Sequence, residues 1–296
     1  MLSPSRTMEK QTVDEAFRTE HGLATLGREL VEIRTLLDDH FVRWAIEVGA
    51  EPMLFPPLLR IDDLDGFDHF RNFPHLPVLA TRIETSRLAD YSRLPALASV
   101  PGADLAGAEY ALPSAACYNA YLYLRGAILP APRYITTVAS CFRNEEEYTG
   151  LRRLWGFSMR EIVCIGPREA VGAHLASFKK KIQEFTRRLG LAVAVEVGND
   201  PFFQPGGVTC RPEGARALTQ KLFPTKEEFV YGGSVAIGSV NFHRNFFGER
   251  CRIRMADEQF AFTGCVAFGI ERWIHALLEA FRNDTDAIAS TLRDCR

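Results

Sequence analysis

The chain has 296 residues, 47% hydrophobic and 24% charged, which is enough to bury one large core or two small ones. Its 35 basic and 37 acidic residues leave a formal charge of −2, which argues against wrapping nucleic acid by electrostatics alone and leaves room for a local basic patch. No apolar run could cross a bilayer, the polar N-terminus MLSPSRTMEKQ lacks a signal-peptide core, and seven cysteines with no CxxC pair read as reduced thiols in the cytoplasm.

The first dozen or so residues read as frayed. From Leu26, the apolar positions Leu26, Leu30, Ile33, Leu37, Phe41, Trp44 and Val48 step by threes and fours and predict a long amphipathic helix, with Gly49 placed to end it. PMLFPPLLR follows, an extended apolar segment whose Pro56 and Pro57 suit an edge or interface strand. Residues 61–108 are rich in Asp, Pro and Gly and predict loop with short elements. In YALPSAACYNAYLYLRGAIL a short strand gives way to a helix, with Ser114 as its expected cap. A hairpin is predicted over 133–165, a helix over 168–189 ending at Gly190, and a strand at LAVAVEV. Residues 198–225 read as loop around PFFQPGG. Strands recur near 227–239 and 250–256, and a strand–helix unit closes the pattern over 261–281. Hairpin-linked strands with helices set apart predict an α+β fold on an antiparallel sheet.

The hairpin raises a physical question. SCFRNEEEYTGLRRLWGFSMREIV, residues 140–163, carries Arg143, Glu145, Arg153 and Glu161 into what should be sheet interior, where isolated charges are costly. An exposed edge ion pair would explain part of this and would contribute little. A second stretch changes the balance. In FGIERWIHALLEAF, Arg272 opens a helix just after a strand holding Gly264 and Gly269, glycines that would let a backbone or a flat ligand come close.

Together the two stretches resemble motifs 2 and 3 of class II aminoacyl-tRNA synthetases. Phe142-Arg143-Asn144-Glu145 matches FRxE of motif 2, Arg153, Phe157 and Glu161 match the return strand of the seryl enzymes, and Gly269-Ile270-Glu271-Arg272 matches the end of motif 3. Pro113-Ser114-Ala115-Ala116 falls where seryl-tRNA synthetases read PTAE, and Ala236-Ile237-Gly238-Ser239 where they read ExxS. The long helix with EPMLFPPLL stands in for motif 1, the dimer element. The resemblance implies an antiparallel sheet flanked by helices, a flexible segment over 1–24, a catalytic domain over 25–296, and a homodimer. It also implies that Arg143 contacts the α-phosphate of ATP and the substrate carboxylate, and that Glu145 accepts from the adenine amino group. Phe157 and Arg272 would sandwich the adenine ring, with Arg272 and Arg153 meeting the distal phosphates. Arg143 and Arg272 are thus the expected catalytic residues, acting on a magnesium-bound ATP by charge stabilisation.

Departures from the seryl enzymes narrow the resemblance. Residues 1–24 leave no space for a tRNA-gripping coiled-coil arm, the TAE triplet is Ser114-Ala115-Ala116, and the usual acid of ExxS is Ala236. The chain is therefore similar to amino acid:[carrier protein] ligases, arm-less relatives of the zinc-containing seryl-tRNA synthetases of methanogens. That resemblance implies a zinc held by Cys117, Glu161 and Cys265 with an open position for the substrate's amine. It implies glycine or alanine as substrate, a phosphopantetheinylated carrier protein rather than tRNA as acceptor, and Ser114, Ser239 and Asn241 near the substrate. Two rival readings remain, a minimal aminoacyl-tRNA synthetase and a catalytically silent regulatory relative. FKKKIQEFTRR (178–188) reads as a solvated helix face that could also dock an acidic carrier. His243 reads as structural, and Cys141, Cys164, Cys210, Cys251 and Cys295 receive no role.

Overall fold

The computed structural model describes residues 16–94, 96–198 and 225–295. Seven strands form the main sheet: β1 (Glu51–Pro52), β2 (Arg133–Phe142), β3 (Gly156–Gly166), β4 (Val193–Val197), β5 (Lys226–Tyr231), β6 (Val235–Arg244) and β7 (Phe262–Gly269). Their order is β4-β5-β6-β7-β3-β2-β1, and all pairs are antiparallel except the short edge strand β1, which runs parallel to β2. The principal helices are α1 (Arg28–Glu47), α2 (Tyr118–Tyr123), α3 (Arg168–Arg188), α4 (Ile270–Ala280) and α5 (Thr285–Asp294). The fold is the α+β arrangement expected, an antiparallel sheet flanked by helices.

Strand alternation sorts the side chains. On β3 and β7, Ile162, Cys164, Val266 and Phe268 join the large core formed with α1, α3, α4 and α5. The other face carries Met159, Glu161, Val163, Ala267 and Cys265. Cross-strand register extends this face in two rows, Thr137–Glu161–Ala267–Ser239–Glu228 and Ile135–Val163–Cys265–Asn241–Lys226. One charge on β3 faces the core instead. Buried Arg160 donates from Nε and Nη2 to the two oxygens of Asp38 on α1, both at 2.7 Å, and so fixes the motif 1 helix to the motif 2 strand.

Gly49 and Gly190 end their helices with φ of +72° and +68°, as the sequence predicts. Four findings differ from expectation. Residues 17–24, assigned to a flexible segment, take part in an antiparallel hairpin of Phe17–Glu20 and Leu23–Leu26. Its Gly22 carbonyl accepts from Trp155 N at 2.8 Å and Gly156 N at 3.2 Å. Leu26, counted in the helical period, is therefore a strand residue. Secondly, Ser114 does not cap a helix. The chain bends through 113–117 and α2 starts only at Tyr118, because the amides of Ala116 and Cys117 are turned toward Glu161. Thirdly, α5 was not foreseen, although Asp284 caps it by accepting from Ala287 N at 2.9 Å. Finally, the basic run 178–188 is largely matched within the chain: Lys179 pairs with Glu227, Lys181 with Glu47 and Arg187 with Glu184. Most of the loop expected over 198–225, with Cys210, lies outside the described residues.

Gly264 serves packing rather than a ligand. A Cβ there would stand 2.7 Å from Val171 Cγ1 on α3 and 3.0 Å from Asn241 O, whereas one on Gly269 would meet nothing nearer than 3.9 Å. Gly264→Ala is expected to destabilise the protein by about 1–3 kcal/mol through overpacking, with Gly269→Ala close to neutral. Thermal denaturation of the two variants measures the difference. Equal melting temperatures would mean that α3 can give way.

Candidate active site

The front face of the sheet holds a cleft, open to solvent, that lies over β3, β5, β6 and β7. Arg143, Glu145, Phe157, Ser239 and Arg272, all singled out in the sequence, line it. The Arg143 guanidinium lies over the Phe157 ring, 5.1 Å from its centroid, and reaches the Ser114 carbonyl at 3.4 Å from both Nε and Nη2. Arg272 donates from Nε to Arg152 O at 2.9 Å and from Nη1 to Ala236 O at 3.1 Å. Burial, followed by the charge of Arg143, holds the Arg272 guanidinium below its usual pKa. Two arginines held this close inside one cleft form a site that an anion would relieve.

Arg153 stays at the rim, where it pairs with Glu145 at 2.6 Å. Glu145 is thus tied to a rim arginine on the motif 2 loop. Ser114 is buried behind Arg143 and its hydroxyl is 3.0 Å from His69 Nε2, so its carbonyl, not its side chain, faces the cleft arginine. Arg152, Lys226 and Glu228 also line the cleft and were not singled out. The alternation of Lys226 and Glu228 in KEEFVY was the available signal, since it sets both on the face shared by Ser239 and Asn241.

At the inner end of the same face, Cys117, Glu161 and Cys265 converge, with ligand atoms all within 4.8 Å of one another and all three residues buried. Three elements bring them together: the turn before α2, the centre of β3 and the centre of β7. Glu161 Oε1 accepts from Ala116 N at 2.7 Å and Cys117 N at 3.2 Å, which fixes the carboxylate. Its Oε2 is buried and has no hydrogen-bond partner. An orphaned carboxylate oxygen between two thiols suits a divalent cation that accepts sulfur and oxygen. The contact with Cys265 lowers the Cys117 pKa, but burial and the Glu161 charge outweigh it and push the thiol up to about 11. Cys265 is raised well above its usual value by the contact with Cys117, by burial and by Glu161. Binding a metal here would therefore release protons from both thiols. Around the triad stand Tyr121, His243 and Asn241. Asn241 Nδ2 is 3.4 Å from Cys265 Sγ and 3.0 Å from Ser239 Oγ. Asn241 thus stands between the triad and Ser239, which lines the cleft.

A sheet of this topology, with arginines on the motif 2 hairpin and on the motif 3 helix, defines the class II synthetase core, and residues 106–281 match the family "tRNA synthetase class II core domain (G, H, P, S and T)". In shape the chain is similar to M. kandleri SerRS, solved in complex with A. aeolicus tRNASec, with a TM-score of 0.77 at 20% identity over 93% of this chain. It spans 57% of that synthetase. It is 27% identical over 58% of its length to the type-2 serine–tRNA ligase of Methanocaldococcus jannaschii, covering 34% of that protein. It is 32% identical over 262 residues to amino acid–[acyl-carrier-protein] ligase 1 of Bradyrhizobium diazoefficiens, covering 84% of this chain and 77% of the relative. The chain belongs to the amino acid–[acyl-carrier-protein] ligase family and is a ligase built on the class II core.

Proposed function

We propose that the chain uses ATP to activate a small amino acid, glycine or alanine, and passes it to the phosphopantetheine thiol of a carrier protein in the cytoplasm. The observation that carries this reading is the meeting, on one sheet face, of the arginine cleft with the Cys117–Glu161–Cys265 triad. The substrate carboxylate oxygen attacks the α-phosphorus of magnesium-bound ATP, and pyrophosphate leaves. Arg143 neutralises charge between carboxylate and α-phosphate, while Arg272, stacking on adenine opposite Phe157, meets the distal phosphates with help from Arg153. Glu145 reads the adenine amino group. A zinc ion held by Cys117, Glu161 and Cys265 would supply an open Lewis-acid position for the neutral amine. Ser239 and Asn241 border the bound amino acid, and Ser114 orients Arg143 through its carbonyl. Met159, two residues before Glu161 on the same face, adds bulk that favours a small side chain. In the second step the thiol sulfur attacks the adenylate carbonyl, a thioester forms and AMP leaves, so no protein nucleophile is needed.

We further propose that 25–296 act as the catalytic domain and that the chain works as a homodimer across the motif 1 edge. Ile46 is 64% exposed, Leu54 88%, Tyr123 58% and Ile128 59%, and Tyr123 packs beside Phe55 just beyond β1. Sedimentation should give twice the chain mass, and Leu54→Glu should halve it.

The acceptor separates this reading from a minimal tRNA synthetase, and the relative that matches most of the chain favours the carrier protein. With ATP and labelled glycine or alanine, label should appear on a phosphopantetheinylated carrier and not on tRNA. Label on tRNA alone would reverse the assignment. Absence of pyrophosphate exchange with every amino acid would favour a regulatory relative.

A further inference from the structure

β6 loses register beside the triad. Phe242 pairs with Gly264 and Arg244 with Thr263, so His243 is an extra residue, and Arg244 takes a φ of +54°. Such bulges re-aim a side chain next to a site. Here His243 is buried, with Nε2 at 3.8 Å from Cys265 Sγ. Its Nδ1 has the Tyr121 hydroxyl at 3.3 Å and the Thr263 hydroxyl at 3.4 Å. Asn241, the direct cross-strand partner of Cys265, approaches the same sulfur at 3.4 Å through Nδ2.

Resting on the metal reading above, we propose that His243 and Asn241 are positioning residues that donate two N–H groups to the Cys265 thiolate and tune the metal through it. A metal-bound thiolate has no proton and can only accept. Nε2 must then carry the imidazole proton, and Nδ1 accepts from the two hydroxyls, whose O–H groups can turn to donate. The thiolate at Nε2 thus fixes the tautomer, and the two hydroxyls at Nδ1 adapt to it. Hydrogen bonds to sulfur draw charge from it, leaving a more electrophilic metal for the amine. Partners of this kind commonly change metal affinity by about 10–100-fold when removed.

The test uses the purified full chain loaded with zinc or cobalt(II). His243→Phe and Asn241→Leu should each still bind one metal, with zinc affinity lowered about 10–100-fold in chelator competition. The sulfur-to-cobalt charge-transfer band should move to longer wavelength, since an unbonded thiolate is easier to oxidise. His243→Gln, which offers an amide N–H, should recover part of both effects. Unchanged affinity and unchanged bands in both variants would overturn the inference and leave the metal site standing. Wild-type protein that takes up no metal would instead sink the metal reading itself. Should the variants fail to fold, nitrogen-15 NMR of the zinc-loaded wild type decides: His243 must show a protonated Nε2 and an unprotonated Nδ1, and the opposite tautomer refutes the assignment.

Discussion

Replacing Arg143 or Arg272 with alanine should lower amino-acid-dependent pyrophosphate exchange by about 10²–10³-fold, the 2–4 kcal/mol typical of losing one fixed charge from a developing anion. Each is expected to remain folded, since neither supports the large core. Among the described residues, the Arg143 guanidinium meets the Phe157 ring and the Ser114 carbonyl, and that of Arg272 the carbonyls of Arg152 and Ala236. These are weak demands on a guanidinium, and neither arginine forms an ion pair among the described residues. Lysine at either position should recover little, because a point charge cannot stack or fork. Arg153→Ala should cost less than either, because Arg153 stands at the rim in an exposed pair with Glu145. Near-normal exchange in the Arg143 or Arg272 variant would put ATP elsewhere.

The largest effect on composition belongs to the triad. Purified protein should hold about one zinc per chain, the stoichiometry of a single three-ligand site. Cys117→Ala or Cys265→Ala should lose both metal and amino-acid activation while ATP binding, measured by calorimetry, survives. Glu161→Gln is the finer probe. It keeps shape and volume, yet removes the charge whose Oε2 has no other partner. Uptake should also be pH-dependent with a definite sign. Both thiols are raised, so acid favours the protonated, metal-free site and affinity should climb as pH rises. Full activity after exhaustive chelation would mean that two core cysteines had been mistaken for ligands.

Much of this site was legible because chemistry and spacing coincide. Arg143, Glu145, Phe157 and Glu161 were legible because charges in an apolar hairpin are costly and because their spacing matches motif 2, whereas Arg160, a charge in the same run, turned to the core and Asp38. Arg272 was legible from a strand-to-helix junction. Gly264 left two readings open, since a glycine in a strand looks the same whether a ligand or a neighbouring backbone needs the space, and the positions of Val171 and the Asn241 carbonyl decide for packing. Ser114 misled for a related reason. A serine ahead of an apolar run is a good cap, but here the turn delivers amides to Glu161 and delays the helix to Tyr118. Lys226 and Glu228 escaped notice because their place comes from cross-strand register, which pairs residues far apart in the chain, and Arg152 because it lies in a turn, where no period marks a face. His243 depended on a bulge, and no periodicity announces one.

The hairpin of residues 17–26 has a practical consequence for anyone handling this protein. Gly22 sits at its tip with φ +76°, pressed so closely on Tyr148 and Trp155 that a Cβ would come within 2.5 Å of the tyrosine ring. It therefore grips the base of the loop that carries Arg143, Glu145 and Arg153. A substitution that loosened residues 17–26 would loosen that loop as well, and a change in nucleotide affinity would then report the hairpin and not the cleft. The last helix touches none of this. α5 packs on α1 behind the sheet, and its Ile288, Ala289 and Leu292 are held in the main core, away from the nucleotide loop.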